Sequence, residues 1–205
     1  MSKLRTGGFS LYLKRAFDVI RPRYERMLVL EKNVSEFKEV RLDLEVNLRI
    51  ANSITAVKSL VAQRENWYHD WAKKRFNDGN LCFGVEYNGK IVSCIWTCFN
   101  EVYLPNVDYN LKVGNNVAPV LDGWTSPQYR KKGLYSYVKN SCLRYLHEKT
   151  DYTRAYFFIQ PKNVISLLLH KELNVVFSVR LIKFFPFKFR RVNQFDCNIG
   201  ELVEI

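Results

Sequence analysis

The chain has 205 residues, 47% apolar and 25% charged, enough apolar material to bury one core and too much for global disorder. Its 32 Lys and Arg outnumber 20 Asp and Glu, giving a net charge of +12; this favours anionic partners such as nucleotides, nucleic acid or an acidic membrane surface, and equally fits a solvated basic surface. No run approaches the ~20 apolar residues of a membrane-crossing helix, and the first residues lack the apolar stretch and cleavage site of a secretory signal.

In chain order, Leu13, Phe17 and Ile20 have helical spacing and predict a helix over 9–20, ended by Arg21-Pro22-Arg23. Met27-Leu-Val-Leu30 suits a buried strand, and 32–39 is a polar connection. Residues 40–46 alternate with period two, a strand signal. Asn52 or Ser53 is then placed to cap a helix carrying Ile54, Val57, Val61, Trp67 and Trp71, breaking near Asn77-Asp-Gly79. His69 on this helix reads as a rim residue rather than a site. Residues 1–39 form an N-terminal helix and strand extension, and 40–205 the main domain, all within one globular unit.

Segments 81–87 and 91–97 flank Asn88-Gly89, a two-residue hairpin turn that needs φ > 0. Residues 100–117 are loop-like, with Pro105 and Gly114. A strand over 120–125 follows, then a basic turn and an amphipathic helix with Leu134, Val138, Cys142 and Leu146 on one face. Further on come a strand over 154–160, a short helix over 163–173, a long strand over 175–185 and one more element in the tail. The five cysteines, at 82, 94, 98, 142 and 197, include no CxxC pair. They read as buried thiols in a reducing compartment, with cytoplasm as the default, and as neither a disulfide frame nor a zinc site.

The turn carries the chemistry. A strand, Val120-Leu-Asp-Gly-Trp-Thr125, feeds a helix through Ser126-Pro-Gln-Tyr-Arg130-Lys-Lys-Gly133. The first N–H groups of a helix lack intrahelical partners and face its positive end, which makes an anion site. Gly133 lets a ligand approach the backbone.

These residues resemble the pyrophosphate loop of the Gcn5-related N-acetyltransferase (GNAT) superfamily: Arg or Gln, two residues, Gly, one residue, then Gly or Ala. Arg130 and Gly133 match, whereas Tyr135 stands where the second small residue belongs and must turn its ring away from the phosphates. A second block, from Asn163 to Val175, resembles the family segment Asn-x-x-Ala/Ser-x-x-x-Tyr-x-x-x-Gly-Phe. Asn163 and Ser166 match, His170 takes the place of the Tyr, and Asn174 and Val175 replace the Gly and the aromatic. The resemblance covers about residues 40–185. It implies an α+β fold with a central mixed, mostly antiparallel sheet flanked by helices, whose splayed strands form an acyl-CoA cleft.

The resemblance further implies direct transfer of an acetyl or other acyl group from CoA to a primary amine of a small polar acceptor, such as an amino sugar. Backbone groups of Trp124, Thr125 and Ser126 would meet the pantetheine. The amides of Lys131, Lys132, Gly133, Leu134 and Tyr135 would cradle the pyrophosphate, with Arg130, Lys131 and Lys132 adding charge and Asn163 and Ser166 completing the cofactor site. His170 is the candidate acid toward the leaving thiolate, its ordinary pKa near ~6.5 suiting the task. Asp122 and Glu101 are the candidate bases, and a water chain is the alternative to both. No metal is implied, and a homodimer is compatible with the reading. Two alternatives stand: a transferase acting on protein or peptide amines, and a non-catalytic module binding CoA or a polyanion. The alternating Phe and Lys/Arg of 182–192 fit either a charge-protected edge strand or a membrane or nucleic-acid patch.

Overall fold

The structure, a computed structural model, describes residues 23–99, 101–184 and 187–198; the helix expected over 9–20 lies outside the described residues. The elements are β1 (Arg23–Asn33), β2 (Asn47–Ala51), α1 (Lys58–Val61), α2 (Trp67–Asn77), β3 (Leu81–Tyr87), β4 (Lys90–Thr97), β5 (Glu101–Leu104), β6 (Tyr109–Lys112), β7 (Val117–Thr125), α3 (Leu134–Lys149), β8 (Arg154–Ile159), α4 (Val164–Leu169), β9 (Asn174–Phe184) and β10 (Phe187–Asn198). Strands β5 and β6 pair by themselves; the other eight form one sheet in the order β10-β9-β1-β8-β7-β4-β3-β2. Every pair in that sheet is antiparallel except β7 with β8. This is the mixed, mostly antiparallel α+β architecture expected.

The centre of the sheet follows from its sequence. Residues 91–97 of β4 and 27–30 of β1 are continuously buried, as apolar runs are when both faces of a strand are covered. The β3–β4 hairpin turns on Asn88 and Gly89, at φ 49° and 73°, the geometry of the two-residue turn. On one face α3 lays Leu134, Val138, Cys142, Leu143 and Leu146 against Phe83, Val92, Ile95, Val120 and Phe157. Burying each large apolar side chain in such a stripe contributes about 1.5–3 kcal/mol. On the other face α1 and α2 cover β3 and β4 through Leu60, Tyr68, Ala72 and Trp96. The β5–β6 hairpin covers Met27, Val179 and Leu181 of β1 and β9.

Four local expectations are corrected. Residues 40–46 keep their alternation of half-buried and exposed positions but join no ladder. Phe37, Leu42, Leu44 and Val46 are instead pressed on the core beside α3, so 37–46 is an extended strap, and the strand begins only at Asn47. The helix after Ser53 is interrupted at 62–66. There Gln63 Nε2 donates to the carbonyls of Ser59 and Ile91, at 2.6 and 2.9 Å, pinning the break against β4. The 100–117 segment is not simply loop: Val102, Leu104, Val107 and Leu111 are buried, and the chain folds back through Pro105 and Asp108, at φ 46°. Finally, α4 stops at Leu169, four residues short of the expected end. The strand expected around 27–30 is β1, which lies inside the sheet between β9 and β8.

Candidate active site

The site is built where β7 and β8 part. Their parallel pairing runs only from Val117 opposite Arg154 to Val120 opposite Phe157. Beyond it β7 continues to Thr125 and β8 to Ile159 with no ladder between them, leaving an open edge. On its other side β7 pairs with β4 through a bulge: Cys94 faces Trp124 and Trp96 faces Leu121, so Asp122 and Gly123 together oppose Ile95. Asp122 takes φ 51°, a conformation that costs a non-glycine residue about 1–3 kcal/mol and is held by its surroundings. Ser126 N–H donates to Val92 O at 2.9 Å. Ladder alternation therefore turns the N–H and C=O of Thr125 toward the open edge, while Trp124 O accepts from the Ser93 hydroxyl.

Next to that edge is the turn. Lys131 and Gly133 are both left-handed, at φ 62° and 73°, a conformation that turns successive amides outward. Among the described residues, no backbone carbonyl outside α3 accepts from the N–H groups of 131–135. Arg130, Lys131, Lys132 and Gly133 are exposed, and Leu134 sends its side chain into the core. Arg130 Nε donates to Thr125 O at 3.2 Å, which ties the turn to the open edge of β7. The arrangement can hold a phosphate group beside a linear chain laid along Thr125.

On the α3 side, Tyr135 turns its ring onto Gly123. A Cβ at Gly123 would lie 2.4 Å from Tyr135 Cε2, so the contact exists only because residue 123 has no side chain. The Tyr135 hydroxyl is 3.0 Å from His170 Nε2, and His170 Nδ1 is 2.8 Å from Ser166 O. The carbonyl can only accept, so Nδ1 carries the proton and Nε2 accepts from the phenol. Burial, helped by the nearby Lys139 ammonium and opposed by the Ser166 carbonyl, lowers the His170 pKa to about 4. Burial raises that of Tyr135. The His170 ring lies 5.1 Å from that of Phe157 on β8, so Gly123, Tyr135, His170 and Phe157 bridge the parting strands.

Asp122 faces the other way, under α2. Its Oδ2 accepts from Tyr68 Oη at 3.3 Å and its Oδ1 is 3.5 Å from Arg64 Nη2. The Arg64 guanidinium lies 4.3 Å from the Tyr68 ring centre and 5.3 Å from that of Trp124. Burial raises the Asp122 pKa, an effect opposed by Arg64, Arg75 and the Tyr68 hydrogen bond. The two candidate proton-transfer groups thus occupy opposite faces of the splay.

The remaining candidates are placed as follows. Glu101 is exposed at the start of β5, opposite Lys112, in the small sheet rather than beside the splay. Asn163 Oδ1 caps α4 by accepting from Ser166 N–H at 3.1 Å, so these two residues shape the helix that holds His170. His69 is exposed beside Asp70. Lys188 and Arg190 on the edge strand β10 donate to Asp108 Oδ2 at 3.0 and 2.9 Å, and Tyr103 donates to its Oδ1 at 2.9 Å. These donors hold the Asp108 carboxyl well below the usual carboxylate range. The basic segment therefore spends part of its charge tying the β5–β6 hairpin to β10, as an edge strand. Sequence reasoning missed Arg64 and Tyr68 as partners of Asp122. It had the signal for the Gly123–Tyr135 contact, a large residue in place of a small one.

Residues 49–174, more than half of the chain, match the acetyltransferase (GNAT) family. No curated protein matches the sequence. A conserved protein of unknown function from Staphylococcus epidermidis ATCC 12228 superposes with a TM-score of 0.58 at 10% identity, over 89% of this chain and 69% of that one. A Novosphingobium aromaticivorans DSM 12444 protein assigned to the GNAT family superposes at 0.53 with 14% identity, over 78% and 64% of the two chains. A GCN5-related N-acetyltransferase from Kribbella flavida gives 0.48 at 13% identity, covering 77% of this chain and 55% of its own, so this chain spans about half its length. For the first two of these, at such identities, the likeness is one of fold.

Proposed function

The chain belongs to the acetyltransferase (GNAT) family, and from that premise we propose that it transfers an acetyl group from acetyl-CoA directly to the primary amine of a small polar acceptor such as an amino sugar. The observation that carries this reading is the splay beyond Val120 and Phe157, open beside a turn whose amides at 131–135 are taken up by no backbone carbonyl outside α3 among the described residues. Its free amides, the exposed cations Lys131 and Lys132, and the outward-facing backbone of Thr125 suit a phosphorylated linear thioester. The buried thiols at 82, 94, 98 and 142 suit a reducing compartment, and we place the reaction in the cytoplasm.

In the reaction the amine nitrogen bonds to the acyl carbon, the carbon–sulfur bond breaks, the nitrogen loses a proton and the sulfur gains one. Asp122 takes the amine side: it lies on the α2 face, and the bulge holds its carboxylate against Tyr68 and Arg64. Leu121 packs against both the α1–α2 cluster and the β5–β6 cluster, and we place the acceptor beside that seam. On the thiol side the proton comes from Tyr135, whose hydroxyl turns from His170 Nε2 to the sulfur. His170 is neutral at physiological pH and its Nε2 is an acceptor, so its role is to hold the phenol rather than to donate.

The ring of Tyr135 against Gly123 also favours a second reading, a module that binds CoA without catalysis because the ring fills the thioester's place. A thiol-release assay with acetyl-CoA and a panel of amino sugars separates the two. Amine-dependent thiol release, matched by N-acetylated product in mass spectra, supports transfer. Binding of acetyl-CoA without release for any amine supports the module.

A further inference from the structure

The strap over 37–46 belongs to none of the chemistry above, yet it is built into the fold. Lys38 N–H donates to Asn140 Oδ1 at 2.7 Å, and Asn140 Nδ2 donates to Ser136 O at 2.8 Å. Asn140 is thus a buried clamp between strap and helix. Four residues on, a Cβ at Gly133 would meet Leu42 Cδ2 at 3.2 Å, so the strap passes alongside the basic turn.

Between strap and helix lies a cavity of ≈ 260 Å³. Pockets for whole drug-sized ligands run to ~300–1,000 Å³, so this one suits a nucleoside rather than an entire cofactor. Tyr137, Val40, Leu48 and Ser141 are among the residues that line it. Tyr137 stands one helical turn from the cradle, its N–H donating to Gly133 O at 3.0 Å. Three cations line the rim, Lys38, Arg41 and Arg144, against one carboxylate, Glu39, which is 3.6 Å from Arg144. Among the described residues, the side chains of Lys38 and Arg41 have no ion pair.

We propose that this cavity receives the 3′-phosphorylated nucleoside end of acyl-CoA, the base against Tyr137 and the 3′-phosphate between Lys38 and Arg41. The inference rests on the acyl-CoA reading above and gives the strap its purpose. An aromatic wall offers a base a face to stack on, the two unpaired cations meet a dianion, and the cavity begins one turn from the amides that hold the pyrophosphate.

The test is calorimetric titration of CoA and of 3′-dephospho-CoA into the full chain, into Arg41→Glu and into Ser141→Trp, which fills the cavity. The parent is expected to bind CoA about tenfold or more tighter than the dephospho form, the scale of a charge-assisted contact. Arg41→Glu, at an exposed position, should remove that preference while leaving the dephospho form's affinity within about threefold. Ser141→Trp should weaken both forms by about tenfold. Equal binding of the two forms by the parent, or a preference that survives Arg41→Glu, overturns the assignment while leaving the acyl-CoA reading intact. If the parent binds neither form, both fall together.

Discussion

The hydroxyl of Tyr135 lies 3.0 Å from Nε2 of His170, and that one bond fixes the state of both groups. His170 spends its only proton on Ser166 O, and the phenol donates its own to Nε2, so Tyr135 can protonate a thiolate only by turning its hydroxyl away from His170.

Tyr135→Phe keeps the ring on Gly123 and removes only the hydroxyl. The turnover number for acyl transfer should fall by about 10- to 100-fold, the lower range for a lost proton donor, with KM for acetyl-CoA changing less than about threefold. Steady-state kinetics check this. An unchanged turnover number would confine the pair to packing.

Gly123→Ala forces a methyl to within 2.4 Å of Tyr135 Cε2. Overpacking of this kind costs about 1–3 kcal/mol, and the double variant with Tyr135→Ala should recover most of the loss. A denaturant double-mutant cycle reads the coupling directly. Additive losses would mean that the ring simply moves aside.

The lowered pKa of His170 makes stability depend on pH. Its folded value of about 4 lies below the ordinary 6.5, so between those values the unfolded chain holds a proton that the folded chain refuses. Its contribution is fully present above about pH 6.5 and is lost as pH falls through about 4, a change of roughly 3 kcal/mol. Chemical unfolding of the parent should show this decline, and His170→Leu should flatten it whatever its absolute stability. Equal slopes would contradict the buried neutral imidazole.

Asp122→Asn tolerates the left-handed backbone and still accepts from Tyr68, but it cannot take a proton. The turnover number is expected to drop by about 10²-fold or more with thermal unfolding little changed. A fall of less than about threefold would hand the amine's proton to water.

Lys188→Glu with Arg190→Glu breaks the tie to Asp108. Amide exchange should quicken over the β5–β6 hairpin, while liposome and RNA binding should match the parent's. Loss of such binding in the variant would restore the patch reading.

Local signals in the sequence transferred well to the structure. Asn88-Gly89 can adopt few turns, Leu134, Val138, Cys142 and Leu146 share one helix face, and the basic turn needs only neighbours in the chain. What stayed hidden depended on distant partners. Residues 40–46 alternate as a strand does, but whether a ladder exists is decided by other strands, and none reaches them. Asp122 was visible on its strand, yet Arg64 and Tyr68, which set its charge and orientation, lie more than 50 residues earlier around an unforeseen helix break. The ring of Tyr135 found its place only through the side chain that Gly123 lacks.

We expect acetyl-CoA to lie along Thr125 with its phosphates on the turn. Titration calorimetry of acetyl-CoA into the parent and into Lys131→Glu with Lys132→Glu tests it most directly, since both lysines are exposed and their reversal spares the core. Micromolar binding by the parent is expected, weakened by about tenfold or more in the variant and more so at low salt. No binding by the parent, or equal affinity in the two, would contradict it.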